Sequence, residues 1–288
     1  MNIRLRADLA LVFIAFIWGA TFVVIKEALA DVSSILFLTL RFSLAAVLLA
    51  AYFRRGWMPD RSHLWAGFLV GSCLGVGYAF QTIGLETTTP ANAGFLTGFY
   101  IPVVPVLGAI LHRRAPAWRE AIGVVLATVG IVLLTLPDEG LQFRRGDLLV
   151  LAGAISFAGH IMTMGHFSVT VPYRILSFTQ IAVSALYGWG TFWWAETPRI
   201  QWSWAVIFAL ITTAVFATAV ALAVQSWAQQ HTTPTRTALI FSMEPVFAWV
   251  TSYLVSGEVL SMRATLGAAA VLAGILVVEL RGGESKEA

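Results

Sequence analysis

Charge is what this chain has least of. Lys and Arg number 18 and Asp and Glu 15 among 288 residues, so only 11% are charged, against about 25% in a soluble domain. With 58% of residues hydrophobic and a mean hydropathy of +0.81, polar surface is too scarce to cover a water-soluble fold. The composition is that of a polytopic membrane protein. Cysteine is nearly missing too: Cys73 stands alone, so no intramolecular disulfide can form and nothing follows about redox compartment. Catalytic signatures are lacking, with no Gly-x-Ser-x-Gly, no His-Glu-x-x-His and no paired carboxylates inside an apolar run. His160 and His166 fall on different helix faces, which argues against a metal site. No glycine-rich phosphate loop is present, which excludes ATP as direct driving force. The chain is read as a non-enzyme without metal or cofactor.

What it has instead is ten apolar runs of roughly the 20 residues that span hydrocarbon. They cover 8–25, 34–53, 64–84, 91–111, 119–136, 148–166, 174–193, 204–227, 235–254 and 264–280. The second five repeat the first. Residues 81–136 align without a gap on 225–280 at an offset of 144, pairing Thr88-Thr89-Pro90 with Thr232-Thr233-Pro234, Arg119 with Arg263, and Gly123 and Gly130 with Gly267 and Gly274. Upstream the offset is 139, pairing Arg6-Ala7-Asp8-Leu9 with Arg145-Gly146-Asp147-Leu148. A repeat of five spans must re-enter the bilayer upside down. That is the architecture of secondary transporters, whose sites lie between the repeats near the midplane. The predicted fold is all-α and integral to the membrane: ten transmembrane helices in two inverted five-helix repeats, 1–138 and 139–288.

Positive charge sets the orientation. With a cytoplasmic N-terminus the inner side receives Arg4, Arg6, Arg54, Arg55, Arg61, Arg113, Arg114, Arg119, Arg174, Arg236, Arg281 and Lys286, twelve in all, and the outer side only Lys26, Arg144, Arg145, Arg199 and Arg263. Both termini are therefore expected in the cytoplasm, and the net charge of +3 is a topology signal with no nucleic-acid partner attached. The basic start and long first run lack a small-x-small cleavage site and are read as an uncleaved helix. Trp57, Trp65, Trp118, Trp193, Trp194, Trp202 and Trp204 sit near span ends as interfacial anchors. Gly67, Gly71 and Gly75 form a small-residue stripe, read first as ordinary helix packing and second as close approach beside a moving gate.

Phe16-Ile17-Trp18-Gly19-Ala20-Thr21-Phe22 followed by Lys26, Leu40-Arg41-Phe42, and Met243-Glu244-Pro245-Val246 followed by Gly257-Glu258 and Gly267-Ala268-Ala269 resemble the drug/metabolite transporter superfamily, EamA type. Within it the chain looks most like the YddG group of aromatic amino-acid exporters. The resemblance covers nearly the whole chain. It implies a ten-helix carrier of the bacterial inner membrane that exports small metabolites by alternating access, through a central cavity lined from both repeats.

Pro102 and Pro245 interrupt the fourth and ninth runs, and each proline frees the carbonyl four residues earlier, at Gly98 and Phe241. Hinges or cavity-facing carbonyls are favoured over kinks satisfied by their neighbours. Glu244 is the only acid deep in a span; it has three readings, a proton site, a contact for a substrate ammonium, or a brace bonded to the backbone broken at Pro245. Arg41 is expected to snorkel or pack rather than touch substrate, and Lys26 to sit at the interface. Across the repeats Trp18 pairs with Phe157, Thr21 with His160 and Gln81 with Gln225. Three-residue spacing puts Trp18 and Thr21, Tyr78 and Gln81, and Phe157 and His160 each on one helix face. With Phe99 and Tyr100 they form the candidate substrate lining, apolar with few hydrogen-bonding points, which suits an amphipathic metabolite. The expected function is export of amino acids of broad range, aromatic and apolar ones included, by a chain that meets only its small-molecule substrate and the lipid bilayer and is read as a monomer. The alternatives are an exporter of drugs or other hydrophobic metabolites and, from another class, an intramembrane enzyme or a structural membrane protein. The first of that class lacks a nucleophile and base, and the second would have little use for Glu244 and two proline-broken spans.

Overall fold

A chain this apolar can hide its peptide groups from lipid only inside helices. In the computed structural model, described over residues 2–53, 59–88, 90–113, 115–135, 144–247, 250–251 and 261–279, the apolar runs are helical. The first repeat holds α1 (Ile3–Ala28), α2 (Ser34–Phe53), α3 (Arg61–Thr87), α4 (Pro90–Thr97), α5 (Tyr100–His112) and α6 (Trp118–Thr135). The second holds α7 (Arg145–Phe167), α8 (Tyr173–Ala195), α9 (Trp204–Thr212), a π-helical segment (Thr213–Val220), α10 (Ala221–Ala228), α11 (Pro234–Phe241) and α12 (Met262–Glu279). Among the described residues the only β pairing is an isolated bridge between Val32 and Ile200. The junction at 138 and 139, together with Trp57, Arg54, Arg55, Arg114, Gly257, Glu258, Arg281 and Lys286, lies outside the described residues.

Among the described residues six stretches are long and apolar enough to cross a bilayer by themselves: Ile3–Ala28, Ser34–Phe53, Arg61–Thr87, Ala93–Leu111, Arg145–Phe167 and Trp204–Ala228. The helices carry Val47, Ile110, Val125 and Leu186 in the open, side chains that would promote aggregation in water and meet lipid here. Trp65, Trp118, Trp193, Trp194, Trp202 and Trp204 are all exposed, as anchors at a membrane interface should be. Helix ends are closed by local chemistry. Asp60 caps α3 by accepting from the His63 amide, and hydrogen bonds from the Ser62 hydroxyl and that amide hold its carboxyl below the usual carboxylate range. At α2 the cap comes from far away, with Glu196 accepting from the amides of Ile35 and Leu36 at 2.9 and 2.7 Å.

Two predicted spans are not single helices. The fourth stops at Thr97, turns through Gly98 and Phe99, and restarts at Tyr100; the ninth stops at Phe241, turns through Ser242 and Met243, and restarts at Glu244. The two breaks coincide residue for residue at the offset of 144. Pro102 and Pro245 therefore lie in the first turn of a restarted helix, where a missing N–H costs no intrahelical bond. The Gly98 carbonyl is not left free, because it accepts from the Ile101 amide at 3.0 Å.

Small residues set the packing. A Cβ on Gly274 would stand 2.6 Å from the Gly123 carbonyl oxygen, and one on Gly130 2.7 Å from that of Gly267, so α6 and α12 touch backbone to backbone at repeat-related positions. The stripe at Gly67, Gly71 and Gly75 faces Thr179, Gln180 and Ser184 of α8. That contact has the form of ordinary close packing.

Polar contacts establish the inversion. Near its start α1 presents Asp8 to Arg236 of α11. Eighteen residues later, about 27 Å along the helix, Lys26 donates to the carbonyls of Leu85, Glu86 and Thr88 at the end of α3. Thr88 in turn donates to Asp147, in the first turn of α7. The end of α1 thus lies beside the beginning of α7, and the first helices of the two repeats run in opposite directions. Lys26 is a cap for α3 as well as an interfacial residue.

Candidate functional site

The spacing argument groups side chains by helix, and the tertiary fold brings those groups together. One cavity, bounding about 570 Å³ free of protein atoms, is lined by Trp18, Thr21, Tyr78, Gln81, Tyr100, Phe157, His160, Gln225 and Glu244. Phe99 is not among the lining residues; it occupies the turn between α4 and α5 and is 49% exposed. The turn rotates it away from the interior, a displacement invisible when the fourth span is drawn as one helix.

Aromatic rings make the walls. Trp18 meets Phe241 edge-on at 4.9 Å between centroids, Tyr78 meets Phe157 at 5.1 Å, and Phe42 backs Tyr78 at 5.4 Å. The polar groups are mostly tied into chains. His160 Nε2 shares a hydrogen bond with Gln180 Oε1 at 2.8 Å, and Gln180 Nε2 donates to the Ser226 hydroxyl at 3.1 Å. Gln81 Nε2 donates to Thr97 at 2.9 Å, and Gln225 Nε2 to Gln229 Oε1 at 3.0 Å. Thr21 spends its hydroxyl proton on the Trp18 carbonyl at 2.9 Å. Gln225 Oε1 has no hydrogen-bond partner among the described residues.

Glu244 opens the restarted ninth span, and its repeat mate Tyr100 opens the restarted fourth. Both are buried against the cavity. Among the described residues Glu244 takes part in no hydrogen bond or ion pair, so the reading of a brace for broken backbone finds no bond to support it. Its carboxyl group lies close enough to Tyr78 and Tyr100 to interact with both electrostatically.

Of the two expectations for Arg41, snorkelling or packing, the structure shows packing, against the rings of Tyr78 and Phe42. Arg41 is 1% exposed and lines the cavity. Its guanidinium sits 4.6 Å from the Tyr78 ring centroid, Nε donates to Thr218 Oγ1 at 2.7 Å, and Nη2 reaches the Ala217 carbonyl at 3.4 Å. Nη1 has no partner. Burying a charge costs several kcal/mol even after relaxation, while a cation–π contact returns about 0.5–2 kcal/mol and neutral oxygens supply no counter-charge. The rule that an ionisable group inside a span marks function could have singled it out.

The π-helical segment has no such sequence signal. It holds the Ala217 carbonyl where both Arg41 and the Trp18 indole donate to it, the latter at 2.9 Å. One extra residue per turn shifts a carbonyl out of register, and here that carbonyl joins two lining residues of the other repeat. Nothing in its run of Ala, Thr and Val predicts this.

Among the described residues no cluster of His, Cys, Asp and Glu has the geometry of a metal site. The EamA-like transporter family matches this chain twice, over residues 5–136 and 144–280. An uncharacterized transporter of Archaeoglobus fulgidus is 36% identical over 96% of this chain and 87% of its own length. The uncharacterized transporter YoaV of Bacillus subtilis is 21% identical over 94% of this chain and 96% of its own. A crystal structure 18% identical in sequence superposes with a TM-score of 0.78 over 96% of both chains, a likeness of fold.

Proposed function

The chain belongs to the EamA-like transporter family, a ten-helix, multi-pass membrane fold, and on that premise we propose that it exports amino acids of broad range, aromatic ones included, by alternating access. One observation carries the reading: a single cavity between the repeats combines aromatic walls with buried amide, carboxylate and guanidinium groups. A sugar would ask for many more hydrogen-bonding points, and a phosphate for more cationic ones. An amino acid asks for polar contacts to its common part and tolerant apolar contact to its side chain. The positive-charge asymmetry supports a cytoplasmic location of both termini in an inner-membrane protein. Alternating access draws support from polar clasps at both ends, Asp8 with Arg236 at one and Asp147 with Thr88 at the other, each built on one of the repeat mates Asp8 and Asp147.

The test is counterflow in proteoliposomes with a panel of labelled amino acids. Phenylalanine, tryptophan and threonine should all exchange. Trp18→Ala should slow the aromatic pair more than threonine, because stacking on a ring adds about 0.5–1.5 kcal/mol beyond area burial. Gln81→Ala should slow all three together. No exchange of any amino acid by folded protein refutes the reading and leaves hydrophobic metabolites as the substrates to try.

A further inference from the structure

Among the described residues the fold buries two arginines and treats them differently. Arg236 is paired twice with Asp8, Nη2 to Oδ2 at 2.9 Å and Nε to Oδ1 at 3.3 Å. Arg41 is buried at least as deeply, yet among the described residues no carboxylate pairs with it. Its bonds go to a hydroxyl and a carbonyl, it contacts the uncharged Tyr78, and Nη1 has no hydrogen-bond partner among the described residues. Two acceptors on the same cavity, the Glu244 carboxyl and Gln225 Oε1, also have no hydrogen-bond partner among the described residues. One unbalanced cation and two unbalanced acceptors are the complement of a zwitterion.

We propose that Arg41 is the carboxylate anchor of the cavity, binding the α-carboxylate of the transported amino acid while Glu244 and Gln225 take its ammonium. The assignment rests on the amino-acid reading and adds the residue that decides which molecules qualify. A guanidinium is suited to the task because its planar fork of donors matches a carboxylate. The Tyr78 face and the two bonds to Thr218 and Ala217 hold that fork in one orientation, so little ordering is left for the substrate to impose. Arg41 thereby becomes a selectivity residue: molecules of the right shape without a carboxylate leave its charge unanswered.

Competition against labelled phenylalanine in proteoliposomes tests this with the unaltered protein first. Phenylalanine and 3-phenylpropionate, which keep the carboxylate, should compete at least tenfold better than phenylalaninamide, which lacks it. In Arg41→Gln the advantage of carboxylates should collapse to within about twofold, and Arg41→Lys, which keeps the charge but loses the fork, should fall between. Chromatographic homogeneity of each variant is checked, and should Arg41→Gln not fold, the wild-type series together with Arg41→Lys carries the decision. Equal competition by phenylalaninamide in the wild type, or an undiminished preference for carboxylates in folded Arg41→Gln, overturns the assignment. If no amino acid exchanges but 3-phenylpropionate raises the melting temperature of the wild type and not of the variant, the amino-acid reading fails and the carboxylate anchor stands.

Discussion

Replacing Asp8 with Asn probes whether the clasp at that end of the bundle is a gate or a rivet. The pair joins the first helix of one repeat to the broken span of the other, with both side chains buried and two bonds at 2.9 and 3.3 Å. Removing one partner of a buried pair costs about 3–5 kcal/mol, chiefly by stranding the other charge. Asparagine keeps the shape and one acceptor, which places Asp8→Asn near the lower end, about 3 kcal/mol. Were the clasp made only while this mouth is shut, that energy would fall wholly on the shut state and raise the open population on the order of 100-fold. A single cysteine at Ile161, which lines the cavity and is buried, reports it in a Cys73→Ser background. Its alkylation by an impermeant maleimide from the Asp8 face should accelerate strongly in Asp8→Asn, and adding Arg236→Gln should reverse part of the effect by removing the stranded charge. An unchanged labelling rate alongside a lowered melting temperature would show that the clasp persists in every conformation. The gating argument would then be wrong, and the clasp would belong to the static scaffold.

Two further outcomes follow from single contacts. Gly274→Ala drives a methyl group to 2.6 Å from the Gly123 carbonyl oxygen, a backbone atom that cannot swing aside, and should cost about 1–3 kcal/mol as an overpacked contact; a melting temperature in detergent equal to wild type would mean that α6 and α12 can separate freely. Glu244→Gln should leave folded yield intact, since no hydrogen bond or ion pair among the described residues engages that carboxyl, while lowering exchange and abolishing any stimulation by a pH gradient; loss of folded protein in place of activity would return Glu244 to a bracing role.

The membrane class, the repeat and its inversion are legible in the sequence for a simple reason. Hydropathy, charge asymmetry and an odd number of spans are properties of the chain order and the bilayer, and need no knowledge of which helix touches which. The breaks at Gly98–Phe99 and Ser242–Met243 are legible to within a turn, because proline limits where a helix can continue. Faces are harder. In a soluble helix the polar side marks the outside, but lipid and protein interior are equally apolar, so apart from its charge nothing along α2 announces what Arg41 meets. That is decided by the neighbours: Tyr78 on α3 offers a ring, and a π-helical turn in the other repeat offers Thr218 and Ala217. Phe99 marks the same limit, since a two-residue turn redirects it out of a lining that its sequence neighbour Tyr100 joins. The sequence determined that polar residues would be buried between two inverted halves; only tertiary packing decided which of them, Asp8 with Arg236, would satisfy each other, and which, Arg41 and Glu244, would be left facing one cavity without a counter-ion.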